Sequence, residues 1–475
     1  MSFFTKRSLV FAACIVTLGT ANPAQAQWQP ILRSTPPVLA PESPTAPPTT
    51  ARDGLRIAVG GDLLGPYRPR LGFDDAGLRA VAQLFQQSDV GFANLEGNLF
   101  DTWNFTGWPA AENGGFEQGG VGGGPLLPVA VAADLRKLGV SVVSTANNHA
   151  LDWGTQGLLD TIANLDKAGI AHAGTGRSLA EARTAGMVDT PHGRVAVVGA
   201  ASTFMPMAPA GAGGSDSRLQ KASRPGLAAL RIRPIALVSP DELEVLKKIA
   251  ARQGKIVEAG DTEVTLAPNE AVLNQQTFRL SDHTGLTYEV HPGDRAGLVE
   301  AVRNAKRSAD AAVFSIHAHE TASGGQELDA DPASLQPADF LQPFFHDVID
   351  AGADMVVVHG PHVLRGIEIY KGRPIFYALG SLFFELGTGW RPEWYDSIVA
   401  TSEFRGGRIA EVRLYPITLG REDETRSRAD QGLPRLATGA RAQSILDTLQ
   451  RDSTRYGTRI SIEKGIGVIR LDATK

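Results

Sequence analysis

Five short apolar runs, each leading into a carboxylate, an amide or an imidazole, constrain this chain more than any other feature. Leu55-Arg-Ile-Ala-Val59 runs into Gly60-Gly61-Asp62, and Val90-Gly-Phe-Ala93 into Asn94-Leu-Glu96. Val140-Ser-Val-Val-Ser144 precedes Asn147-Asn148-His149, and Ala311-Ala-Val-Phe-Ser-Ile316 precedes His317-Ala-His319-Glu320. Met355-Val-Val-Val358 precedes His359-Gly-Pro-His362. Short runs of this kind bounded by glycine and polar residues read as buried β-strands. Helical stretches lie between them. Over residues 75–87, Leu78, Val81, Ala82 and Phe85 fall at helical spacing, while Leu158, Leu159, Ile162 and Leu165 form one face of a helix expected to be capped by Thr155 and ended by Gly169. Further strands are expected at 195–198, 375–378, 409–415 and 465–471, and a helix at 440–450. The alternation predicts an α/β fold with a parallel or mixed sheet. In such a sheet, side chains at the carboxyl ends of the strands converge on one crevice.

Five of the ten histidines sit in these strand-end clusters. Neutral imidazoles meeting carboxylates form a ligand set for a first-row divalent metal. His317 and His319 alternate along a strand end and should face the same side. His359 and His362 flank Pro361, which disfavours helix at Gly360 and places both in a turn. Asn147-Asn148-His149 supplies an amide oxygen beside an imidazole. Taken singly, Asp62 reads equally well as a turn cap and Glu96 as a solvated carboxylate. Taken together, the clusters point to a metallohydrolase.

Composition narrows the setting. The 475 residues are 43% hydrophobic and 20% charged, as in a soluble globular protein, and the net charge is −5. No basic stripe appears, which argues against a nucleic-acid partner. Lys6-Arg7, an apolar stretch from Ser8 to about Thr20, and Ala24-Gln25-Ala26 read as a signal peptide over residues 1–26, so export to the periplasm or cell envelope is expected. Cys14 invites a lipidated reading, but Phe11 suits it poorly. Cys14 is also the only cysteine, so the mature chain must build any metal site from nitrogen and oxygen and has no thiol for catalysis. Seven prolines between residues 27 and 50 fit an extended linker over 27–54. A main domain is expected over 55–420, with an insertion at about 205–300 and an extension, 421–475, packing on it. The Gly-rich stretch between Trp103 and Pro128 reads either as a surface loop or as a lid. Its glycines lack the spacing of a nucleotide-binding fingerprint.

The chain resembles the capsule-synthesis CapA family, a branch of the calcineurin-like metallophosphoesterase superfamily. The resemblance runs through Gly60-Gly-Asp62, Asn94-Leu-Glu-Gly97, Ala146-Asn-Asn-His-Ala-Leu-Asp-Trp-Gly154 and Arg224-Pro-Gly226. It continues with His317, Gly352-Ala-Asp354, His359-Gly-Pro-His-Val363 and Pro374-Ile-Phe-Tyr-Ala-Leu-Gly380. It implies a four-layer α/β/β/α sandwich of two mixed sheets with a dinuclear centre. By that resemblance Asp62 and His362 bind one metal, Glu96 bridges, and Asn148, His317 and His359 bind the second. His149 is the catalytic histidine and Asp152 orients it. Leu64 stands where the superfamily places a histidine, Val358 where it often has glycine, and Ser381 where the family often has asparagine. His319 replaces a frequent glycine and is an additional candidate ligand or substrate contact. The implied cofactors are two divalent ions (Mn, Fe or Zn). The implied substrate is a phosphoester or an anionic polymer such as poly-γ-glutamate, with membrane proteins of capsule synthesis as partners. A non-hydrolytic accessory protein that binds and exports such a polymer is the alternative.

Overall fold

The computed structural model describes residues 53–65, 73, 75–107, 125–212, 223–258, 260–266, 276–324, 335–385, 392–420 and 432–471. The expected signal segment, nearly all of the Pro-rich linker, positions 108–124 of the Gly-rich stretch and the start of the extension lie outside the described residues.

Two mixed sheets organise the α/β fold. The larger runs in the order Ser461–Glu463, Ile466–Arg470, Arg408–Thr418, Asp396–Arg405, Arg56–Leu64, Val90–Asn94, Val142–Ser144, Ala171–Ala173. Ser381–Phe384 also pairs with Arg56–Leu64, and Arg435–Leu436 with Arg408–Thr418. The six-stranded sheet runs Ile367–Tyr370, Arg373–Phe376, Met355–His359, Ala311–His317, Gly193–Ala201, Gly186–Thr190. Its central strands are parallel and its edges antiparallel.

The two-residue period of a strand explains the packing. Ile57, Val59, Phe92 and Val142 from the larger sheet share one buried cluster with Val195, Val197, Val313, Met355 and Val357 from the smaller. Their neighbours in the chain face the other way. Ala58, Ala93 and Val143 pack against Leu78, Val81, Phe85, Val131 and Leu135 of helices Ala76–Gln86 and Ala130–Leu138. Phe314, Ile316, Val356 and Val358 pack against Leu298, Val302, Phe344 and Phe345 of helices Pro292–Ser308 and Leu341–Asp350. Each such apolar side chain is worth about 1.5–3 kcal/mol when fully buried, so register in these strands is strongly specified. Asp75 starts the first helix by accepting from Leu78 N, as its position just ahead of the apolar periodicity suggests.

Three details differ from expectation or refine it. The helix Gly154–Ala168 begins before Thr155, with Trp153 at the N-cap and no side-chain cap bond. Gly154, at φ +67, makes the turn into the helix instead. Gly169 ends it in the left-handed conformation, where the missing Cβ removes the steric cost. Within the expected insertion, Glu263–Leu266, Gln276–Leu280, Ile232–Val238 and Gly285–Val290 form a separate four-stranded sheet. The helix Pro240–Arg252 accompanies it, started by a reciprocal Ser239–Glu242 capping box. The next helix, Pro292–Ser308, already covers the six-stranded sheet, so residue 300 falls inside an element of the main framework. Beyond residue 432, helix Gly439–Ser453 sends Ile445, Leu446 and Leu449 into the core between the sheets. Among the described residues no helix is long and apolar enough to cross a membrane.

Candidate metal centre

Strand parity delivers the first ligands. Ala311 and Val313 face the other sheet, and continuing the alternation brings His317 to that face at the strand end. The same parity carries Met355 and Val357 on to His359, which is the register partner of His317. Both imidazoles are buried, and the Phe92 ring meets His359 edge-on at 5.5 Å.

Asp62 arrives by a different device. The pairing of Arg56–Leu64 shifts register between Val59 and Asp62, where Gly60 and Gly61 lie. A Cβ on Gly61 would sit 1.8 Å from the Gly380 carbonyl oxygen, so this crossing of two backbones requires glycine. The kink turns the fully buried Asp62 toward the histidines. Its Oδ1 accepts from Asn94 Nδ2 at 2.8 Å and its Oδ2 from Gly360 N at 3.0 Å. His359 Nδ1 lies 3.5 Å from Oδ1 and His362 Nδ1 3.8 Å from Oδ2. Burial opposes ionisation of Asp62, but His359, His362 and Asn94 outweigh it and hold the carboxyl below its ordinary value.

Glu96 is the shared member. Asp62, Glu96 and His317 offer ligand atoms all within 4.8 Å of one another, and Glu96, His319 and His362 do the same. Two candidate positions therefore meet at one carboxylate. The resemblance set Asp62 with His362 and gave His317 to the other ion; in the structure Asp62 lies near both His362 and His317. Here Asn94 reaches both Asp62 and, at 3.3 Å, His317 Nδ1, which draws those two together. His362 instead lies against His319, with ring centroids 5.7 Å apart, and its Nδ1 meets Ser381 Oγ at 3.2 Å. Leu64, in the position of the absent superfamily histidine, is buried in an apolar cluster with Val363 and Trp394.

His149 faces the same carboxylate, its Nε2 3.9 Å from Glu96 Oε1. The opposite ring nitrogen meets Asp152 Oδ2 at 2.5 Å, and the backbone N–H of His149 donates to Asn147 Oδ1 at 3.1 Å. Asn147 Nδ2 in turn donates to the Leu95 carbonyl at 2.8 Å, tying this turn to the Glu96 strand end. Asn148 is buried in that turn. From the Gly-rich stretch, Phe105 stacks on Phe100 at 4.3 Å and meets Trp153 edge-on, next to Asp152.

The donors present suit a divalent cation. They are imidazole nitrogen, carboxylate oxygen and amide oxygen, a set that matches Mn, Fe or Zn. His317 Nε2, His359 Nε2 and both polar side-chain atoms of Asn148 are buried without a hydrogen bond. Such groups are costly to leave unmatched in a protein interior. Burial, followed by the neighbouring charges of His319, His149, His359 and His362, holds the His317 pKa well below its usual value, so the ring stays neutral with a lone pair available. Sequence reasoning passed over Asn94 as a functional residue. Its only signal was its place as the polar end of an apolar run.

A search for relatives gives a consistent answer. Residues 56–386 match the family described as bacterial capsule synthesis protein PGA_cap. An uncharacterized protein y4sH of Sinorhizobium fredii is 36% identical over 89% of this chain and 94% of its own length. A probable polyglutamine synthesis accessory protein of Mycobacterium tuberculosis is 28% identical, over 67% of this chain and 63% of the relative. The PGA biosynthesis protein CapA of Bacillus subtilis is 26% identical, over 53% of this chain and 45% of that protein. With most of its length matched by the family and its strand-end motifs inside the match, this chain belongs to the bacterial capsule synthesis, CapA-type family, within the metallophosphoesterase-like superfamily.

Proposed function

We propose that this protein is an exported, metal-dependent hydrolase with a phosphoesterase-type dinuclear centre, acting in the synthesis of a capsule or of poly-γ-glutamate. One observation carries the reading: two buried carboxylate–imidazole groups share Glu96. The packing of helices on the outward faces of both sheets supports a four-layer α/β/β/α sandwich, the architecture expected of such an enzyme. In this reading Asp62, Glu96, Asn148, His317, His359 and His362 hold two cations, with His319 completing the site of His362. When bound, such a cation pair supplies Lewis-acid activation of water and neutralises charge on the substrate oxygens.

The chain's own residues do the rest. Glu96 fixes the spacing of the two positions. Asp152 holds His149 by one ring nitrogen, leaving Nε2 directed at the centre to donate a proton to the leaving oxygen. His149→Ala is expected to lower turnover of a chromogenic phosphodiester with added Mn²⁺ by about 10²–10⁴-fold, the usual worth of general acid catalysis. Its metal content should stay near that of the parent. Undiminished turnover would remove His149 from the chemistry.

A second reading has one observation in its favour. Leu64 supplies no ligand, which weakens one position and suits an accessory protein that holds an anionic polymer during export without cutting it. Metal retention and polymer binding with no hydrolysis across a panel of phosphoesters and γ-glutamyl amides would favour that role.

A further inference from the structure

A cleft of about 640 Å³ is lined by Arg365, Arg451, Arg455, Tyr456, Asp452 and Gln336 among others. Three arginines line it with one aspartate, Asp452, which accepts from Arg451 Nε at 2.9 Å and Nη2 at 3.3 Å, in a chain whose net charge is −5. The walls of the cleft are direct continuations of the metal-site segments. Arg365 follows His362 by three residues, so their Cα atoms lie within about 11 Å. On the other side, Ala322 N donates to the Gln336 carbonyl and Ala338 N to that of Glu320, joining the Gln336 wall to the segment of His319. The arginines are presented by built structure. Arg365 is 1% exposed, and a Cβ on Gly366 would meet the Asp452 carbonyl oxygen at 2.3 Å, so the two backbones touch. Ile367 N donates to Ser453 Oγ at 2.9 Å. Tyr456 stacks on Tyr377 at 4.7 Å, and the Arg455 guanidinium lies over the Tyr456 ring at 5.4 Å.

We propose that this cleft is a subsite for the carboxylates of an extended glutamyl polymer, holding the chain beside the metal centre. A guanidinium presents a planar fork of donors that matches a carboxylate in two-point contact. A polymer with a carboxylate on every unit can engage Arg455 at the rim, and Arg451 in place of its Asp452 partner, while another unit reaches toward His319 and His362. The choice of carboxylate over other oxyanions rests on the polymer named in the proposed function.

The test uses the whole mature protein, labelled poly-γ-glutamate and fluorescence anisotropy. Arg451 and Arg455 are exposed, so the Arg451→Ala/Arg455→Ala double variant should keep its melting temperature and its metal content. Binding should weaken by about tenfold or more, the loss of roughly one charge-assisted contact or more, and the salt dependence should flatten. Unchanged affinity in the double variant, or no binding by the parent, overturns the proposal. Equal binding of polyphosphate, lost in the same variant, overturns the carboxylate assignment. A metal-loaded parent that binds the polymer through these arginines but cuts neither phosphoesters nor γ-glutamyl amides would sink the hydrolase reading and leave the subsite standing.

Discussion

Asn94 links the two sheets at the candidate metal centre through a single amide. Its Nδ2 donates to Asp62 and approaches His317, and its Oδ1 accepts from Asn147 Nδ2 at 3.4 Å. Replacing it with alanine leaves a fully buried carboxylate short of a donor, a change that typically costs about 1–3 kcal/mol. Asn94→Ala is therefore expected to lower the unfolding free energy, read from a urea titration, by that amount and to reduce metal content, because Asp62 and His317 lose their common partner. Unaltered metal content would confine Asn94 to a role in stability. At this scale the sequence was partly legible. The spacing of His149 and Asp152 and the glycine before Asp62 could be read directly, since both act within a few residues. That Gly61 crosses Gly380, or that Asn94 serves two residues far apart in the chain, could not, because nothing local encodes a partner hundreds of positions away.

Among the elements, helix Pro292–Ser308 joins the small four-stranded sheet to the main framework through one carboxylate. Asp294 in its first turn accepts from Arg231 N at 3.1 Å, Arg231 Nε at 2.6 Å and Arg231 Nη2 at 2.9 Å, immediately before strand Ile232–Val238. Burial works against the charge on Asp294, yet the hydrogen bonds and charge of Arg231 prevail and set its pKa below the ordinary 3.8. A carboxyl depressed in the folded state stabilises at pH values above its unfolded pKa, and that contribution disappears as the pH falls through the folded value. Asp294→Asn should thus cost about 1–3 kcal/mol near pH 7, within the range for hydrogen bonds to charged groups. The gap between variant and parent should begin to narrow as the pH falls below about 4 and close once it passes the folded value. A gap that shows no narrowing as the pH is lowered further would trace the loss to packing instead. Periodicity made the helices Ala76–Gln86 and Gly154–Ala168 legible, the second also by its Gly169 stop, whereas Ala130–Leu138, ended by Gly139 in the same left-handed conformation, was passed over. The start of Gly154–Ala168 was misplaced at Thr155 because the turn at Gly154, in the left-handed region, made a side-chain cap unnecessary.

For the molecule as a whole, burying five imidazoles with Asp62 and Glu96 in one crevice loads the fold with polar groups that a cation would satisfy. Ligands that bind only the folded state stabilise it by mass action, about 2.7 kcal/mol at a hundredfold excess over Kd. Chelator-stripped protein should consequently melt a few degrees lower than protein supplied with Mn²⁺, Fe²⁺ or Zn²⁺, as read by scanning calorimetry. Absence of any shift with all three would argue against a resident cation. By itself the sequence determined the α/β class and the strand ends at which carboxylates, amides and imidazoles collect. Each of these follows from local periodicity or from residue type. Only the tertiary structure decided that Asp62, Glu96 and the late histidines meet in one crevice, that Asn94 reaches both Asp62 and His317, and that helix Gly439–Ser453 completes the core between the sheets. Those facts depend on how two sheets align face to face, and that alignment is set by the summed burial of side chains from the whole chain rather than by any one segment.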